Sequence, residues 1–226
     1  MKNYSRIAIY CTPDPDSHVA AFGAAWLGWD LHSGKSAPQM RIDGFDLGSM
    51  TKRPRKYGFH GTLKAPFRLV EGANVDAVLD AAHEFARHHA PLDLGRFELA
   101  RLGRFLALCP VAQAPNFTDL AGEIVEWFEP FRAASSPEEL ARRRKTKLSA
   151  RQEGYLGQYG YPFVKEDFRF HMTLTGPLDD TDPVREALTP MLAPFLNVPW
   201  WLDALSVCGE REDGFFEEIM RIPFRH

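Results

Sequence analysis

The sequence predicts an α+β protein built as two pseudo-symmetric lobes, each an antiparallel sheet with flanking helices, around a central cleft. Three observations predict it. A ten-residue motif occurs twice, over residues 57–66 and 168–177, with Phe59, His60, Thr62, Leu63 and Pro66 matching Phe170, His171, Thr173, Leu174 and Pro177. The same order of elements follows each copy: motif strand, helix, strand, strand. The composition, 45% hydrophobic and 25% charged, is that of an ordinary globular chain. The expected organisation is one bilobal domain over 1–226, with approximate lobes 1–112 and 160–226 and a helical insertion at 113–159.

Residues 5–11, β-branched and aromatic, read as the first strand. Thr12 to Asp16 form a turn, and Asp16 or Ser17 caps a helix reaching about Leu27. Residues 33–56, rich in Gly, Ser, Pro and charge, read as a long loop. The first motif strand follows. Asn74 then caps a helix over about 75–89, with Val75, Val78, Leu79, Ala82, Phe85 and Ala86 as its apolar stripe. Strands are expected at about 96–102 and 104–110. Two helices occupy the insertion, over about 117–128 and 137–153. After the second motif come a helix over about 183–193 and strands at about 200–208 and 215–222.

Within a strand, alternate side chains share a face. His60 and Thr62 therefore share one face, as do His171 and Thr173. Phe59 with Leu63, and Phe170 with Leu174, take the other. Two such strands side by side bring two imidazoles and two hydroxyls to one site. Histidine titrates nearest neutral pH, so a pair can divide the roles of base and acid. Hydroxyls can donate to the non-bridging oxygens of a phosphate. A single histidine on a strand is more often structural; two in matched contexts favour catalysis or ligand binding. Lys64 continues the His60 face and Thr175 takes the equivalent place in the other copy, so the two copies differ in charge.

Net charge is −3, yet residues 51–56 and 137–151 each carry +4. The first segment holds Lys52, Arg53, Arg55 and Lys56. The second holds Arg142, Arg143, Arg144, Lys145, Lys147 and Arg151. Basic charge concentrated shortly before each motif fits a local anion better than an extended nucleic acid. A continuous helix over 137–153 would align Arg143, Lys147 and Arg151 on one face. Arg143 and Arg151 are candidate anion ligands; Tyr10, Tyr57 and Tyr161 are candidate cleft aromatics. No recurrent carboxylate or cysteine stands beside either motif histidine, so no metal or other cofactor is expected. His83, His88 and His89 belong to a separate helix. Cys11, Cys109 and Cys208 are widely spaced and read as reduced thiols. No apolar run approaches the ~20 residues that span a bilayer. The opening Met1 to Arg6 has no long apolar stretch behind its charge. Both fit a cytoplasmic protein without a membrane partner.

His60-Gly61-Thr62-Leu63 and His171-Met172-Thr173-Leu174 resemble the paired motifs of the two-histidine (2H) phosphoesterase superfamily. More narrowly, the chain is similar to an uncharacterised bacterial family encoded with phosphonate-degradation genes. That likeness includes Arg6 to Tyr10, Tyr57 to Phe67, the arginine-rich helix, Arg151-Gln152, Gly160-Tyr161-Pro162 and Phe168 to Gly176. It implies a bilobal fold and metal-independent hydrolysis of a small phosphorylated, often cyclic-phosphate, substrate. It also implies a functional link to phosphonate-degradation enzymes. Two rivals stay open: an RNA-end phosphoesterase or ligase, and a module that binds a nucleotide or phosphonate metabolite without turnover.

Overall fold

A computed structural model describes residues 3–225. Met1, Lys2 and His226 lie outside the described residues, and with them part of the start expected to lack a signal peptide. Strand β1 (Ile7–Cys11) leads into helix α1 (His18–Leu27). A small hairpin, β2 (Trp29–Asp30) and β3 (Lys35–Ser36), precedes the short helices α2 (Leu47–Met50) and α3 (Lys52–Arg55). The first motif strand is β4 (Gly61–Phe67), followed by α4 (Val75–Arg87), β5 (Leu92–Gly95), β6 (Phe97–Leu102) and β7 (Phe105–Pro110). The insertion carries α5 (Pro115–Trp127), α6 (Pro137–Arg143) and α7 (Ala150–Tyr159). The second motif forms the two-residue strand β8 (Met172–Thr173). After it come α8 (Asp182–Leu196), β9 (Trp200–Leu202), β10 (Ala204–Glu210) and β11 (Phe216–Pro223).

The expected α+β class is met, but the sheet differs from two separate ones. Seven strands form a single antiparallel sheet in the order β11-β10-β1-β4-β8-β7-β6. The two motif strands are neighbours at its middle, joined through Gly61 opposite Met172. The hairpin that follows each motif pairs on the far side: β6–β7 flanks β8, while β10–β11 flanks β1 and so β4. Sequence halves and spatial halves are therefore interleaved.

One sheet face carries the main core. Ile7, Ile9, Leu63 and Met172 meet Trp26 of α1, Phe85 of α4, Ile124 of α5 and Leu188 of α8 there. Motif residues anchor that packing. A Cβ on Gly61 would lie 2.1 Å from Phe170 Cζ, and one on Gly23 2.3 Å from Phe59. Each motif phenylalanine thus fills a space that only a glycine leaves. The opposite face holds a smaller cluster of Tyr10, Leu31, Cys208 and Phe216 with Tyr57 against it.

Start signals explain the helices. Ser17 caps α1 and Asn74 caps α4 through side-chain acceptors. Two expectations change. Residues 33–56 are not one loop: Asp46 caps α2 by accepting from Ser49 N, and Arg55 hydrogen-bonds Leu27 O and Gln39 Oε1. The helix expected over 137–153 is two helices. Ser136 with Glu139, and Ser149 with Gln152, each form a capping box. The second box restarts the chain, so Arg143, Lys147 and Arg151 do not share one helical face. No helix among the described residues is long and apolar enough to cross a membrane.

Candidate active site

The β4–β8 register builds the site. With Gly61 opposite Met172, His60 faces Thr173 and Thr62 faces His171. Directly opposed side chains in such a pair start about 4.5–5.5 Å apart at Cβ. The histidines therefore occupy one diagonal of a four-residue patch and the threonines the other. All four line a cavity of about 290 Å³. Met172, between them in sequence, is buried on the core side.

Both imidazoles are held alike. His60 Nδ1 lies 3.0 Å from Gly58 O, and His171 Nδ1 lies 2.8 Å from Arg169 O. A carbonyl only accepts, so each Nδ1 carries a proton and each Nε2 is left to exchange one with a ligand. Thr62 Oγ1 donates to His60 Nε2 at 3.1 Å. Gly58 has φ +72°, where other residues are strained, and a Cβ there would meet Leu31 at 2.6 Å. Burial pushes the His60 imidazole down to about 4; the Gly58 hydrogen bond opposes this, and the charge of nearby His171 adds to it. His60 is thus neutral at pH 7. The ring of Tyr10 stacks on it, centroids 3.6 Å apart. Tyr10 is fully buried and its hydroxyl has no hydrogen-bond partner among the described residues.

The remaining expected site residues divide. Tyr57, Arg143 and Tyr161 line the cavity with Tyr10. Arg143 Cζ sits 4.6 Å from the Tyr161 ring centroid. Of the first basic segment, Arg53 lines the cavity, whereas Arg55 is spent on the scaffold contacts above. Arg151 does not line it; its guanidinium makes a two-point pair with Asp167 at 2.8 and 3.0 Å. Lys64 lies on the other face of the sheet. Tyr10 opposes Thr62 but Ile9 opposes Lys64, so β4 holds one extra residue, a bulge that reverses the alternation. Lys64 is 3% exposed, and its ammonium bonds Val125 O and Glu129 Oε2, both at 2.8 Å. Thr175 is buried and accepts from Leu106 N while lining the cavity.

Sequence reasoning missed Arg6 and Phe105. Arg6 lines the cavity while pairing with Glu210 at 2.6 Å, and the Phe105 centroid lies 5.9 Å from that of His171. Arg6 carries a faint signal, a lone cation before a buried strand. Among the described residues, no group of three or more His, Cys, Asp or Glu side chains is arranged to hold a metal ion.

Two curated relatives are similar. A protein of Janthinobacterium sp. (strain Marseille), named ribose 1,5-bisphosphate phosphokinase PhnN, is 38% identical over 233 residues, covering 99% of this chain and 51% of its own length. A protein of the same name from Laribacter hongkongensis (strain HLHK9) is 35% identical over 179 residues, covering 78% of this chain and 41% of itself. The chain spans about half the length of these relatives or less. Residues 62–217, from the first motif threonine through the second motif to β11, match a family described as "Protein of unknown function (DUF1045)". On that match, the chain belongs to the DUF1045 family.

Proposed function

We propose that this chain hydrolyses a small cyclic or ribosyl phosphodiester, with His60 and His171 as the acid–base pair and no metal in the chemistry. The observation that carries it is the matched pair of imidazoles, each fixed by Nδ1 to the carbonyl two residues upstream. Both line one cavity with Thr62 and Thr173. His60, neutral at pH 7, takes the proton of an attacking water at Nε2. A new P–O bond forms to that water oxygen. The bond from phosphorus to the leaving alkoxide breaks, and protonated His171 gives that oxygen its proton. On substrate binding the Thr62 hydroxyl turns away from His60 Nε2, freeing that nitrogen for the water, and Thr62 and Thr173 donate to the non-bridging oxygens, where charge gathers. Arg53 and Arg143 bring positive charge to the same cavity.

The resemblance to phosphonate-associated proteins and the ribosyl substrate in the relatives' names support a sugar phosphate of that metabolism. A second reading follows from the same names: phosphorylation of ribose 1,5-bisphosphate. The tripeptide Gly34-Lys35-Ser36 resembles the end of a phosphate-binding loop, but it lies in the β2–β3 hairpin and enters a strand. A phosphate-binding loop runs instead from a strand into a helix N-terminus. The relatives' chains also extend well beyond the region matched here. Incubating the protein with cyclic phosphodiesters in EDTA, and separately with ribose 1,5-bisphosphate and MgATP, distinguishes the readings. Hydrolysis in the first supports the proposal. Phosphoryl transfer in the second, with no hydrolysis in the first, replaces it.

A further inference from the structure

A second cavity adjoins the first and shares Arg6, Ala65, Pro66, Arg143 and Tyr161 with it. Its lining cations are Arg6, Lys64, Arg68, Arg132, Arg142 and Arg143. Four are engaged: Arg6 by Glu210, Arg68 by Glu139, Lys64 and Arg132 by Glu129. Six cations thus face three carboxylates. Among the described residues, Arg142 and Arg143 form no ion pair, although they are consecutive at the end of α6. Arg143 is the more telling of the two. Tyr161 covers one face of its guanidinium, and among the described residues no acceptor takes its N–H edge. Burial lowers its pKa, with the neighbouring Arg142 adding to that. A partly desolvated cation with no counter-ion is costly until an anion arrives. A guanidinium edge matches phosphate oxygens two at a time.

We infer that the substrate carries a second phosphate, which Arg143 and Arg142 hold in this side cavity while His60 and His171 act on the cyclic ester. This rests on the hydrolytic reading and narrows it to a ribosyl cyclic phosphodiester bearing a separate phosphate monoester. A lone cyclic phosphate in the histidine cavity would leave the side cavity empty and Arg142, which lines only that cavity, unused. A monoester dianion matches the two free guanidiniums in charge.

The test compares adenosine 2′,3′-cyclic phosphate with the same compound carrying a 5′-phosphate, using the intact wild-type protein. The expected kcat/KM is at least ~10-fold higher for the doubly phosphorylated compound, about 1.4 kcal/mol, the scale of one charge-assisted contact. Arg143→Ala should shrink that ratio toward one, and added salt should do the same. Equal kcat/KM for the two compounds in wild type overturns the subsite while leaving hydrolysis standing. Turnover of neither compound counts against the hydrolytic reading, and calorimetric binding of the two then decides the subsite. Tighter binding of the doubly phosphorylated compound supports it, and equal binding overturns it.

Discussion

At the scale of single residues, His60 is the most constrained group in the site. Its Nδ1 is committed to Gly58, Tyr10 covers one face, and burial holds it neutral. An unfolded histidine titrates near 6.5. Between about 4 and 6.5 the unfolded chain therefore binds more protons at this position, so stability contributed here rises with pH through that window and is complete above it. Denaturant titrations of wild type and His60→Asn should diverge as pH falls from 6.5 to 4, wild type losing more. Parallel curves would mean His60 is not held neutral. Gly61 is the second sensitive position. Gly61→Ala drives a methyl into Phe170 on the core side of the sheet. It should cost about 1–3 kcal/mol by overpacking and reduce turnover more than substitution of an exposed residue does. Unchanged Tm and kcat would mean the β4–β8 contact is looser than described.

At the scale of elements, the bulge in β4 decides the fate of Lys64. Strict alternation puts Lys64 beside His60; the extra residue sends it instead to the α5 carboxyl end and Glu129. Removing one partner of a buried pair costs about 3–5 kcal/mol. Lys64→Ala should therefore lower Tm by several degrees while leaving KM for a cyclic ester without a second phosphate within about twofold; a large rise in that KM at unchanged Tm would restore Lys64 to the histidine cavity. The break between α6 and α7 has a similar lesson. The capping signature Ser149-Ala150-Arg151-Gln152 starts a new helix within the basic run and so divides it in two. Arg143 consequently reaches the cavity and Arg151 turns to Asp167. Most of the first motif strand, the shared face of each His–Thr pair and most helices were legible because period-two and period-3.6 patterns are local, while strand pairing around the second motif is confined to Met172–Thr173. Bulges are not: they arise from the pairing of β4 with β1, which sequence periodicity does not carry.

At the scale of the whole molecule, duplication was readable but its three-dimensional use was not. Matching elements after each motif suggested two sheets facing one another. The hairpins instead pair across the middle, so a single sheet seats both motifs side by side. That exchange makes a shared cavity from two distant stretches, and explains why the four motif residues could be named from sequence while Arg6 and Phe105 could not. It also makes the site depend on the cooperative closure of the sheet, not on either half alone. The central claim is that the two histidines act as one acid–base unit without metal. The most direct measurement is single-turnover hydrolysis of a ribosyl cyclic phosphodiester in EDTA by wild type, His60→Ala, His171→Ala and the double variant. The account predicts turnover by wild type and losses of at least ~10²-fold in each single variant, with the double variant little worse than the singles. Full kcat in either single variant, or activity restored only by added metal, would contradict it.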